Sequence, residues 1–241
     1  MVLSGYKQQG QAMVEMIIVS FVTLLLLFSI VQFALLYNAK TVLNYAAYEA
    51  ARAGAVNYSH PQAMRLALAQ KLSALEPIKN NNSGSSYTRL VNQQEEFIAN
   101  FDQIACIKRV NPTASNTLWS NLRNTPGSDT SIANDHLFYR NSSSSGPGTM
   151  SIQDSNLLKI SVTYCPKMIV PIVATAIKRL MLLNYPDPDP IEGWRTPETT
   201  LFEQQCYRNN RFPMVAQAIM RMQTPVGKYG FSLDDCKEIT T

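Results

Sequence analysis

MIIVSFVTLLLLFSIVQFALLYNA, residues 16–39, decides the architecture of this chain. It holds no charged side chain, and almost every position is aliphatic or aromatic. A helix needs about 20 apolar residues to cross a bilayer core, so the run is long enough to span and too long for an ordinary core helix. Its flanks are polar. Residues 1–10, MVLSGYKQQG, carry Lys7 and no acid, and Lys40 is the first base after the run. This charge pattern places the N-terminus on the cytoplasmic side and the rest of the chain outside. A secretory signal peptide has a shorter apolar core followed by a small-residue cleavage site. Here the apolar run passes into more helix, so the segment reads as retained and only the leader before it as removable.

The helical pattern continues through NAKTVLNYAAYEAARAGAV, residues 38–56, which is proline-free and rich in alanine, the best helix former. A helix over Gln11–Val56 would be about 69 Å long, with about half of it clear of the membrane. Val42, Ala46, Ala50 and Ala53 recur on one face, beside Ala47, Ala51 and Gly54. Such a stripe of small residues serves either core packing within the chain or close helix packing between subunits.

Beyond residue 56 the sequence reads as mixed α and β. Ser59 with Gln62 fits a capping box, and Pro61 suits a first turn, so a second helix runs to about Leu75. A third covers Thr88–Phe101. Strands are read over Ile104–Val110 and over Leu158–Tyr164, where Leu158, Ile160, Val162 and Tyr164 alternate with polar residues. MIVPIVATAI, 168–177, is too short to span and reads as a buried or interface-hugging helix. Residues 80–86, much of 111–156 and 184–200 read as loops, and 213–222, PMVAQAIMRM, as a short helix.

Residues able to carry chemistry are few. His60 and His136 stand alone in polar turns, with no HExxH, GxSxG or phosphate loop near them. Asp187, Asp189 and Glu192 form a D-x-D-x-x-E cluster that is the only weak metal candidate, but prolines stiffen it and the EF-hand spacing is absent. The chain is therefore read as non-enzymatic, with no cofactor. A net charge of +4, spread thinly and without a basic block, excludes a nucleic-acid footprint. Cys106, Cys165, Cys206 and Cys236 all follow the span, an even number that suits disulfides in an oxidising compartment. Closeness in sequence favours Cys206 with Cys236, leaving Cys106 with Cys165; buried free thiols are the other reading.

Glu15 sits at the lip of the apolar run, where a carboxylate is costly unless hydrated or paired. It either reaches back to water or meets a positive partner such as another chain's N-terminal amine. Gly10-Gln11-Ala12-Met13-Val14-Glu15, backed by the apolar helix, resembles a type IV prepilin processing site. Together with AAYEAARAGAV at 46–56, it more closely resembles the TadE-like proteins, pseudopilins of the tight-adherence (Flp) branch of type IV pili. The resemblance covers residues 8–56 well and the remainder in general character.

This resemblance implies a prepilin peptidase cut between Gly10 and Gln11, a register role for Glu15, and partnership with other pilin-like subunits and pilus assembly proteins. The expected fold is α+β, pilin-like. It has a leader at 1–10, a helix at 11–56 with its transmembrane part at 16–37, and an extracytoplasmic domain at 57–241 with an antiparallel sheet and accessory helices. The expected function is that of a minor pilin or pseudopilin, held in the inner membrane and incorporated into a surface pilus used for adhesion. The alternatives are an uncleaved membrane-anchored scaffold of the pilus machinery and an anchored periplasmic ligand-binding domain.

Overall fold

The structure is a computed structural model that describes residues 9–76, 85–113, 118–119, 130–140, 142–143, 150–183 and 197–228. The first helix, α1 (Gln9–Val56), runs unbroken for 48 residues. At 1.5 Å per residue it is about 72 Å long. Nothing in its sequence stops it before Asn57, where Tyr58 and Ser59 adopt positive φ values of 56° and 62° and turn the chain back. Then α2 (Pro61–Leu72) returns along α1 and closes in a 3-10 turn at Ser73–Leu75. The N-cap of α2 is His60, whose Nδ1 accepts from the Gln62 N–H at 3.3 Å. The capping role expected of Ser59 is thus taken by its neighbour. Ser59 itself is buried in the left-handed turn and accepts a hydrogen bond from Arg109.

Two further helices follow, α3 (Ser86–Ala99) and the single turn α4 (Phe101–Ile104). They lead into β1 (Ala105–Asn111). A short β2 (Ser131–Ile132), the turn α5 (Ile152–Ser155) and β3 (Leu157–Tyr164) come next. After these lie α6 (Pro171–Leu183), α7 (Pro197–Arg208), β4 (Met214–Arg221) and β5 (Val226–Gly227). The main sheet is antiparallel in the order β1-β3-β4, and β2 pairs with β5 separately. The architecture is α+β, as expected from the sequence.

One correction concerns residues 213–222. They form strand β4, not a helix, and pair with β3 over its whole length from Tyr164–Met214 to Leu157–Arg221. Met214, Ala216 and Ala218 are buried while Gln217 and Ile219 point outward, a period of two. The two alanines are small because α1 lies over them. Strand β4 runs alongside the outer half of α1: Lys40 Nζ donates to the Val215 carbonyl at one end, and the Gln223 N–H donates to the Ala55 carbonyl at the other. Fifteen helical residues rise about 22 Å, and eight strand residues cover about 26 Å, so the two elements match in length.

The core lies between this helical layer and the sheet. Leu43, Ala46, Ala47, Ala50 and Ala51 of α1, Met64, Leu68 and Leu72 of α2, and Leu158, Ile160, Val162 and Tyr164 of β3 are all fully buried. The opposite face of the sheet is covered around Cys106 by Phe202 and Cys206 of α7. A disulfide joins Cys165 to Cys206, across 41 residues of sequence. This replaces the pairing favoured by closeness. Cys206 belongs to a helix that lies back over the end of β3, so the sheet brings distant cysteines together. Cys106 is disulfide-bonded as well, and Cys236 lies outside the described residues.

Candidate functional site

The surface that distinguishes this chain is α1 itself. From Met13 to Val31 almost every side chain is exposed, including Ile17 (67%), Phe21 (63%) and Ile30 (64%). The three hydroxyls inside this stretch are satisfied by the helix backbone: Ser20 donates to Ile17, Thr23 to Val19 and Ser29 to Leu25. Internal satisfaction is what a lipid environment demands. An 18-residue window here has a mean hydropathy of 2.6, and α1 is the one helix among the described residues long and apolar enough to cross a membrane. The helix fits a single-pass anchor.

Gly10 and Gln11 occupy the first turn of α1, where the N–H groups have no acceptor within the helix. Glu15 follows one turn later and is exposed. The three residues read as the processing and register positions therefore sit in line at the N-terminal lip of the apolar run. Asp187, Asp189 and Glu192 lie outside the described residues, as does the leader up to Gln8. Among the described residues no group of three or more His, Cys, Asp or Glu side chains is placed to hold a metal.

Of the two uses read for the small-residue stripe, the structure selects packing within the chain. Ala46, Ala47, Ala50 and Ala51 have no exposed surface. A Cβ on Gly54 would fall 2.7 Å from Met64 Sδ and 2.8 Å from Leu158 Cδ2, so α2 and β3 occupy the space that the small side chains leave.

The outward face of the same half-helix carries Tyr37, Thr41, Tyr45, Tyr48 and Arg52, spaced by three or four residues. Tyr37 is 77% exposed, Tyr45 52% and Tyr48 49%. The sequence reading fixed on the alanines and missed this tyrosine stripe, although its helical spacing was legible. Lys71 of α2 lies over the Tyr45 ring, 5.5 Å from its centroid, and rigidifies one position on the stripe.

Two polar clusters, one buried and one partly buried, tie the elements of the domain together. Arg109 on β1 donates to Ser59 Oγ at 3.0 Å and to the Gly227 carbonyl at 3.1 Å, tying the α1–α2 turn to β5. Burial lowers its pKa to about 10, which leaves it charged at neutral pH. At the other end, Glu76 receives Arg211 and the Tyr164 hydroxyl beside a cleft of about 520 Å³. Gln93 of α3 donates to the Ser73 and Glu76 carbonyls at 2.6 and 2.7 Å. The Glu76 carboxylate is thus engaged by a cation and a phenol and ties the end of the Ser73–Leu75 turn to Arg211 and β3, while the Ser73 and Glu76 carbonyls hold α3.

Residues 10–52 match the family model described as TadE-like protein. The matched segment runs from the glycine before the candidate cut, through the apolar span, to Arg52 at the end of the tyrosine stripe. The resemblance read from Gly10–Glu15 and the alanine-rich extension is thereby borne out. No curated protein matches the chain, and no solved structure does.

Proposed function

We propose, with the TadE-like segment at residues 10–52 as premise, that this chain is a minor pilin or pseudopilin of a tight-adherence pilus. It is held in the inner membrane by α1 with its N-terminus inside. A prepilin peptidase cuts it between Gly10 and Gln11, and it then packs by α1 against other pilin-like subunits in assembling an adhesive pilus. Its work is assembly rather than a chemical reaction.

The observation that carries this reading is that α1 keeps one uninterrupted exposed face from Met13 to Arg52 while its opposite outer face is consumed by the domain. A subunit built this way offers apolar side chains below and tyrosines above to neighbouring helices. Tyrosine gives large contact area at low entropic cost, with a hydroxyl for hydrogen bonding. Glu15, exposed at the lower end, sets register by meeting the freed amine of a neighbouring chain, a charge-assisted contact that is strong in an apolar setting.

The test is mass spectrometry of the membrane-extracted protein from cells with an active prepilin peptidase. The expected N-terminus is Gln11; an N-terminus at Met1 would overturn processing. That outcome belongs to a second reading, an uncut anchored scaffold of the pilus machinery. Recovery only in inner-membrane complexes, and never in sheared pili, would select the scaffold.

A further inference from the structure

Helix α6 is apolar on two sides. Val173 and Ala174 are buried, and Ile177 and Met181 partly so, on the side facing the rest of the chain. Ile172 (57% exposed), Ala176 and Leu180 (57%) form a second apolar row, which Ile169 (68%) extends just before the helix. A helix that is apolar beyond one face belongs to a protein core or to a membrane, and the second row of α6 faces no core.

Its position on α1 says which of the two applies. Gln32 is the only amide between Met16 and Tyr37, is 1% exposed, and its Oε1 accepts the Val170 N–H at 2.9 Å. One residue later α6 begins. Its first turn brings Ile172 and Val173 against Phe21, Leu24, Leu25 and Phe28 of α1, around an apolar cavity of about 190 Å³. Glu15 and Gln32 are 17 helical residues apart, a rise of about 26 Å, close to the thickness of a bilayer's hydrocarbon core. With Glu15 at the inner surface, Gln32 lies near the outer one, and the first turn of α6, beside Leu25 and Phe28, lies below that surface within the acyl region. The apolar row of α6 is therefore continuous with the lipid-facing surface of α1. Arg179, exposed beside Leu180, reaches headgroup level as a long basic side chain does at such a boundary.

We propose that α6 is an interfacial helix, seated in the outer leaflet of the membrane with Ile169, Ile172, Ala176 and Leu180 in the acyl region, so that the domain is held to the bilayer at a second point beside its span. The partner is the lipid surface. Amphipathic helices bind there by buried apolar area together with attraction of basic residues to anionic headgroups. The proposal rests on the membrane-anchor reading of α1.

The experiment uses the full chain in vesicles of phosphatidylcholine and phosphatidylglycerol whose acyl chains carry bromine, a short-range quencher of tryptophan. Trp119 and Trp194 are replaced by Phe, and one tryptophan is introduced by Ile30→Trp, Ile172→Trp, Leu180→Trp or Ile219→Trp. All four introduced positions are exposed, so the fold tolerates them, and survival of the Cys165–Cys206 linkage checks this. Ile219 on β4 stands well above the proposed surface, between the levels of Lys40 and Ala55.

Quenching is expected at Ile172→Trp and Leu180→Trp at about half or more of that at Ile30→Trp, with none at Ile219→Trp. Strong quenching at Ile30→Trp with none at Ile172→Trp and Leu180→Trp would overturn the proposal while leaving the anchor intact, and would assign the row to a protein partner. Absence of quenching at Ile30→Trp as well would overturn the anchor reading and this proposal together.

Discussion

Arg211 grips Glu76 with both guanidinium nitrogens, Nη1 to Oε1 at 2.7 Å and Nη2 to Oε2 at 3.3 Å, and Nη1 also donates to the Cys165 carbonyl at 2.7 Å. The two side chains are only 18% and 16% exposed. A pair this sheltered is costly to break on one side, because the survivor is left as an unpaired buried charge. Arg211→Met is expected to lower stability by about 3 kcal/mol. Glu76→Gln together with Arg211→Met is expected to lower it by much less, because no charge remains. Thermal melting of the detergent-solubilised chain by circular dichroism measures both. A double variant as damaged as the single one would reject the argument.

Tyr164 shares this cluster and gives the domain an alkaline limit. Burial, and then the Glu76 carboxylate, push its pKa well above the ordinary value of 10. The native state thus holds the phenolic proton more tightly than the unfolded chain does. The contribution is intact below pH 10 and is lost as pH climbs toward the folded value, by about 1.4 kcal/mol per pH unit. Melting curves between pH 8 and about pH 12 are expected to fall more steeply for the native chain than for Tyr164→Phe. Parallel slopes would show that Tyr164 ionises as freely in the fold as outside it.

The Cys165–Cys206 bond closes a loop of 41 residues and holds α7 over the sheet. Chain-entropy arguments give a cross-link of that span about 4 kcal/mol. Lys178 of α6 also donates to the Arg208 carbonyl at the end of α7, at 2.7 Å, so α6 depends on α7 for part of its seating. Cys165→Ser with Cys206→Ser is expected to lower the melting temperature and to expose α6 to protease around Arg179. Non-reducing peptide mapping of the native protein should recover residues 165 and 206 in one linked peptide. A peptide linking Cys206 to Cys236 would contradict the fold described here.

What could be read from the sequence follows from range. The helix read over Gln11–Val56 and the strand read over Leu158–Tyr164 announce themselves by composition and alternation within their own length, and their bounds agree with α1 and β3 to a residue or two. Strand β4 was misread because alanine and methionine favour helices locally, whereas Ala216 and Ala218 are set by α1 packing over them. The burial of the alanine stripe against β3 and β4, the role of Ser59 and the pairing of Cys165 likewise depend on partners about 40 to 170 residues away. At the candidate site, the stretch Gly10–Glu15 could be read as one pattern because its signal is contiguous, and the TadE-like match begins there. Gln32 could not, since its meaning lies in the backbone of Val170.

Gly54 offers the sharpest test of how α1 docks. A methyl group there would enter the space of Met64 Sδ at 2.7 Å and Leu158 Cδ2 at 2.8 Å, and both side chains are fully buried. In an isolated helix Gly→Ala gains about 1 kcal/mol. Overpacking a filled core costs about 1–3 kcal/mol. The second effect wins here because neither neighbour has solvent to retreat into, so Gly54→Ala is expected to destabilise by about 1 kcal/mol and Gly54→Leu by more than about 3 kcal/mol. Met64→Ala removes two of the three clashing atoms. The combination of Gly54→Ala with Met64→Ala is therefore expected to be more stable than the sum of the single effects by about 1 kcal/mol, a coupling that a double-mutant cycle in detergent reads directly. Strict additivity would mean that α1 does not approach α2 as closely as these distances require.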